Sequence, residues 1–235
     1  MKRRYIFLII TAAAVFFGFA AAIKPFAEKT NAQPAAMKKI ILDAGHGGRD
    51  NGASVGSAVE SEITLNITLR LAEILRAFGY EVILTRENED STDGVEGFNK
   101  VLDIKNRVEI ANKHPNAVFL SIHINTFPQE RVRGAQFFYS KNEQSKEFAA
   151  TLRQTVIDFL QKENDRPLTK VPGSVYLFKN ISNISALAEC GFLTNDAERK
   201  LLVADEYCQQ LALTLSMGIM RFCEENNGEM KDVRG

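Results

Sequence analysis

The chain has 235 residues, with 29 basic and 29 acidic side chains, a formal net charge of zero and 45% hydrophobic residues. That length suits one domain with a well-filled core, and the balanced charge leaves no footprint for nucleic acid or a strongly acidic partner. Three cysteines, Cys190, Cys208 and Cys223, show no Cys-x-x-Cys spacing, so neither a disulfide framework nor a cysteine zinc site is signalled, and one disulfide is left open.

Lys2, Arg3 and Arg4 precede an uncharged run from Tyr5 to Ile23, which is the order of an export signal. The run is near the lower length limit for a membrane span. We read it as an uncleaved anchor that leaves the rest of the chain outside, with cleavage around Ala20 to Ala22 as the alternative. From Lys24 to Ala36 the chain is polar, carries Pro25 and Pro34 and shows no periodicity, as a linker does. Residues 1–36 are therefore expected to be signal or anchor plus linker, and residues 37–235 the globular domain.

Ile40, Ile41 and Leu42 form a short apolar run that predicts a central strand covered on both faces. It leads into Gly45-His46-Gly47-Gly48, where the glycines permit a tight path and close backbone approach. A polar stretch to Ser61 follows. Leu65, Leu69, Ala72 and Leu75 have the spacing of one helix face, closed by Gly79, and Tyr80 to Thr85 reads as a second strand. Together these make a β-α-β unit with a right-handed crossover. Arg86 to Asn99 reads as an exposed loop, Val101 to Lys113 as a helix, and Ala117 to Ile124 as a third strand. Gly134 to Ser140 predicts a fourth strand, Gln144 to Lys162 a helix, Ser174 to Phe178 a short fifth strand and Ser185 to Glu189 a sixth. Asn164 to Gly173 is polar, with Pro167 and Pro172. Asp205 to Cys223 predicts a closing helix, and the tail from Glu224 should fray. The expected fold is α/β, a single three-layer domain whose mostly parallel twisted sheet has about six strands flanked by helices.

His46 and His123 both fall at carboxyl ends of predicted strands, where open α/β sheets hold their ligands, and could share a metal ion. His114 precedes Pro115 in a helix-to-strand turn and is expected to be structural or solvated. A hydrolytic zinc needs a third protein ligand, and either Glu60 or Glu62 could fold back to supply it; their alternative role is as first-turn acids on the helix dipole. Glu189, at the end of a buried strand, is costly to leave without a partner. It reads as a general base and proton donor, or as half of a buried salt bridge.

His46 with its glycines, Glu60 before the helix, Ser-Ile-His-Ile-Asn at 121–125 and Ala-Glu-Cys-Gly-Phe-Leu-Thr-Asn at 188–195 resemble the zinc-dependent N-acetylmuramoyl-L-alanine amidases. The resemblance runs from Lys38 to Cys223. It implies one zinc ion held by His46, Glu60 and His123, with Glu62 at the family's following acidic position, and a catalytic Glu189. Ala44, Ser61 and Cys190 depart from the family pattern without removing a ligand. Strand alternation points Cys190 away from Glu189 and into the core, against a thiol nucleophile.

The implied substrate is the peptidoglycan glycan strand with its stem peptide, cut at the lactyl–L-alanine amide. With a short leader and no wall-binding repeat, the chain looks most like the germination-specific, spore-cortex branch of the family. That branch implies export to the space between the forespore membranes, a functional link to a muramic-acid deacetylase that completes muramic-δ-lactam, and a lipoprotein activator. The competing readings are an exported zinc peptidase that cuts stem peptides and a non-catalytic wall-binding module.

Overall fold

The computed structural model describes residues 38–94 and 98–226. The predicted anchor, the linker and the end of the tail lie outside them. Among the described residues no helix is long and apolar enough to cross a membrane.

The elements run β1 (Lys39–Ala44), β2 (Ser54–Val55), β3 (Ala58–Val59), α1 (Glu60–Ala77), β4 (Glu81–Leu84), α2 (Lys100–Asn112), β5 (Val118–Asn125), β6 (Gln136–Tyr139), α3 (Glu143–Phe159), β7 (Thr169–Lys170), α4 (Tyr176–Asn180), β8 (Ser185–Phe192), α5 (Asp196–Leu202) and α6 (Asp205–Asn226). Six strands form one sheet in the order β4-β1-β5-β8-β6-β7. Its pairs are parallel except for β6 with β8, as the expected mostly parallel sheet requires.

Alternation along the strands explains why the central ones read as continuous apolar runs. Ile40 and Leu42 of β1, Leu120 and Ile122 of β5, and Ala186 and Ala188 of β8 join one core beneath α1, α3 and α6. Ile41, Phe119 and Leu187 face the other side, where α2 and α4 cover them. Phe178 of α4 meets Phe119 edge to face, with ring centroids 6.1 Å apart.

Several local expectations change. Ser174–Phe178 is not a strand: the chain forms the short helix α4 there, and its Leu177 and Phe178 pack down on the sheet. The sixth expected strand does not stop at Glu189 but continues as β8 to Phe192. The polar segment 164–173 contributes the edge strand β7, paired with β6. Asp196–Leu202 adds a helix, capped by the Asn195 side chain, which accepts from the Glu198 N–H. Glu224 to Asn226 still belong to α6, where Asn226 is buried and its side chain donates to the Phe222 carbonyl. All three cysteines are buried and free, so no disulfide forms between Cys208 and Cys223.

Candidate metal centre

The site is built where β1, β5 and β8 end side by side, with His123 and Glu189 in register on neighbouring parallel strands. β1 runs out into the glycine loop, and there His46 takes a φ of 62°, the one positive value at a non-glycine residue among the described residues. A histidine in this region is uncommon and costs energy, so the surrounding structure must hold it. Two buried arginines do so. Arg86 donates to the carbonyls of Ala44, Gly45 and Ser61, and Arg107 donates to those of Ala44 and His46. Arg107 is itself fixed by Asp43 and Asp103, at 2.6 and 2.9 Å.

Glu60 is the first residue of α1 rather than part of the preceding loop, and its side chain reaches back over the end of the sheet. Its Oε1 lies 3.2 Å from His46 Nε2 and 3.0 Å from His123 Nδ1, and accepts from the Ile124 N–H at 3.0 Å. Its Oε2 accepts from the Ala53 N–H at 2.8 Å. Glu62 is exposed and takes no part. Two glycines let these groups converge: a Cβ on Gly45 would sit 2.4 Å from the His123 ring, and one on Gly52 would sit 2.5 Å from Glu60 Oε2.

One ligand atom from each of His46, Glu60 and His123 can be chosen so that all lie within 4.8 Å of one another. Four donors placed tetrahedrally about zinc at bonds of about 2.0–2.1 Å stand roughly 3.4 Å apart, close to the carboxylate–imidazole separations here. Two imidazoles and one carboxylate are also the donor types that a catalytic zinc takes with an open fourth position. The set therefore fits such an ion.

The electrostatics follow from the crowding. Burial works against ionised Glu60, but His123 and His46 outweigh it and hold its carboxyl well below the usual range. For Glu189 the compensation falls short: burial pushes its carboxyl up to about 7, with His123 and His46 opposing the shift and Glu60 adding to it. Its Oε2 is buried without a hydrogen-bond partner, which removes the buried salt bridge as its role.

Sequence reasoning missed Asp50. Its Oδ2 lies 3.1 Å from His46 Nδ1, so it fixes the tautomer that turns Nε2 toward Glu60. The spacing of four residues inside one loop was the only available sign. The buried Asp43, Arg86, Asp103 and Arg107 were also missed, because nothing local marks them as partners of a loop elsewhere in the chain. Cys190 is buried in the core beneath the helices, where burial pushes its thiol well above its ordinary range. His114 stands at the opposite end of β5, in the turn where Ala117 N–H bonds its carbonyl.

A profile of the N-acetylmuramoyl-L-alanine amidase family matches residues 40–221. The germination-specific N-acetylmuramoyl-L-alanine amidase of Bacillus subtilis (strain 168) is 34% identical over 197 residues, covering 82% of each chain. The CwlD amidase of Clostridioides difficile, solved in complex with the GerS lipoprotein, is 36% identical with a TM-score of 0.75, over 80% of this chain and 98% of that one. The catalytic domain of CwlV, an N-acetylmuramoyl-L-alanine amidase from Bacillus (Paenibacillus) polymyxa var. colistinus, is 27% identical with a TM-score of 0.66, over 80% and 99% of the two chains.

Proposed function

The chain belongs to the N-acetylmuramoyl-L-alanine amidase family, and on that premise we propose that it cuts the lactyl–L-alanine amide of peptidoglycan with one zinc ion held by His46, Glu60 and His123 and with Glu189 as the catalytic acid and base. The observation that carries this reading is the meeting of three convergent ligands with an unpartnered buried carboxyl at the end of one sheet.

Zinc, when bound, would supply a Lewis acid for the scissile carbonyl and would lower the pKa of water toward neutrality. The chain's own residues do the rest. Asp50 orients His46, and Arg107 and Arg86 keep the loop carbonyls in place so that the three ligands stay convergent. Glu189 takes a proton from the attacking water and returns it to the departing L-alanine nitrogen. Burial raises the proton affinity of this carboxyl above that of an ordinary glutamate, which suits it to both directions.

The test is digestion of purified peptidoglycan with zinc, with chelator, and with Glu189→Ala, reading released peptides by mass spectrometry. Stem peptides that begin at L-alanine should appear only with zinc and native Glu189. Release by Glu189→Ala at the native rate would remove that residue from the mechanism.

The germination-specific relative supports a role in the spore cortex, in which stem peptides are removed so that a deacetylase can complete muramic-δ-lactam. Residues 1–36 would then act as export signal or membrane anchor and residues 37–235 as the catalytic domain, working in the space between the forespore membranes. A lipoprotein partner has its support in the complex of the CwlD amidase with GerS. A deletion strain with normal muramic-δ-lactam in its cortex would overturn the cortex role.

A further inference from the structure

The cleft beside the candidate ligands has a volume of about 210 Å³ and contains a charged group that the proposed reaction does not use. Ile104, Val175, Tyr176 and Leu177 give it an apolar wall, while His46, His123 and Glu189 occupy the reacting side. Lys100 and Arg107 are the cations that line it among the described residues. Arg107 is committed to Asp43, Asp103 and two loop carbonyls and is almost wholly buried. Lys100 differs. It is the first residue of α2, its side chain is 62% exposed, and its ammonium, with three donors, contacts Asp50 Oδ2 at 3.2 Å.

We propose that Lys100 is a specificity-determining residue that binds a free carboxylate on the stem-peptide residue following L-alanine. The inference rests on the amidase reading of the site and deepens it. Asp50 Oδ2 touches both His46 Nδ1 and Lys100 Nζ, so the ammonium stands two hydrogen bonds from a ligand imidazole. An extended peptide advances roughly 3.3–3.6 Å per residue. Because the two contacts through Asp50 are 3.1 and 3.2 Å, a peptide laid toward α2 with its first amide at the ligands would bring the next residue within reach of the Lys100 ammonium. A carboxylate there gains a charge-assisted bond, whereas a carboxamide gains only a neutral acceptor.

The test uses the zinc-loaded full chain and two muropeptides that differ in one group, a free α-carboxylate or a carboxamide on the glutamyl residue after L-alanine. Calorimetry with the matching product dipeptides, L-alanyl-D-glutamate and L-alanyl-D-isoglutamine, each with its γ-carboxyl blocked as a methylamide so that only the α-group differs, gives a readout independent of turnover. The native protein should favour the carboxylate form about tenfold in dipeptide binding and in KM. Lys100→Met should raise the KM for the carboxylate muropeptide to that of the carboxamide, with zinc affinity unchanged, and Lys100→Arg should retain the preference. Equal binding of the two dipeptides by the native protein, or a preference that survives Lys100→Met, overturns the proposal. So does an equal loss on both substrates accompanied by weaker zinc binding, because Lys100 would then act only through Asp50. If neither muropeptide is cut while the dipeptide preference is present and disappears in Lys100→Met, the carboxylate contact stands and the amidase reading of the site fails.

Discussion

One face of the sheet meets α1, α3 and α6 through side chains with few polar atoms, and the other meets α2 and α4 through a core that gives way to charge as the strands end. The second face changes character within single strands. In β1 it presents Ile41 and then Asp43, in β5 Phe119, then Ser121 and His123, and in β8 Leu187 and then Glu189. The lower members of these series are packed under α2 and α4. The upper members are polar: Asp43 and Ser121 are buried and hydrogen-bonded to each other at 2.6 Å, and His123 and Glu189 open onto the cleft. On the first face the same strands stay apolar to their ends, with Leu42, Ile122 and Ala188 all wholly buried. The larger apolar core thus lies on the first face of these strands and their polar ends gather on the second, so substitutions on the two should fail in different ways.

The sharpest contrast sets Glu189→Gln against Phe148→Ala. Removing the proposed proton carrier should lower turnover by about 10²–10⁴-fold, with zinc content and melting temperature close to native. Metal analysis beside a rate measurement checks this. Phe148 is wholly buried under the first face, with its ring 5.0 Å from that of Phe222. Its truncation should cost about 3–5 kcal/mol of stability in chemical denaturation while the rate per folded molecule is kept. A Phe148→Ala protein that folds stably but turns over as poorly as Glu189→Gln would dissolve the distinction between the faces.

A smaller effect tests whether the support beneath the ligands belongs with the chemistry. Asp50→Ala leaves the three candidate ligands in place but frees the His46 ring to choose its tautomer. Zinc affinity measured by chelator competition should fall about 10–100-fold, a range typical for loss of an outer partner of a metal-binding histidine. Unchanged affinity would mean that Arg107 and the strained backbone alone orient His46.

The same contrast governs what could be read from the sequence. The apolar runs of β1, β5 and β8 and the helical spacing of α1 and α6 carry periodic signals over enough residues to be legible, and the strand ends followed from them. Glu60 could not be told from Glu62 by spacing, because what separates them is the approach of α1 to two histidines that are 14 and 63 residues away from Glu60. Val175, Tyr176 and Phe178 look like strand residues, yet the segment coils because Leu177 and Phe178 find their partners on the sheet below. Asn195 with Glu198 three residues later was a readable cap for α5, overlooked because the helix is so short. Buried charge was the least legible feature. Asp43 and Arg86 have no local pattern, the i,i+4 pairing of Asp103 with Arg107 says nothing of a distant partner, and only the folded chain brings these groups under one loop.

Acid stability gives the smallest and most selective test, since it isolates one buried charge of the second face. Burial works against ionised Asp43, but Arg107, Ser121, His123 and Thr85 together hold its carboxyl below its ordinary value of 3.8. A carboxyl depressed by folding stabilises the native state above the unfolded pKa, and that contribution disappears as pH falls from there through the folded pKa. Below about pH 4 the native protein should therefore lose stability more steeply than Asp43→Asn, by at most one proton's worth, about 1.4 kcal/mol per pH unit. Asp43→Asn should start lower at neutral pH, because Arg107 then keeps its charge with one anionic partner fewer. Denaturation curves of both proteins from pH 7 to pH 3 would separate the two contributions. Parallel curves would show that Asp43 and Arg107 do not hold the pairing that supports the His46 loop, leaving Arg86 to carry that strained turn.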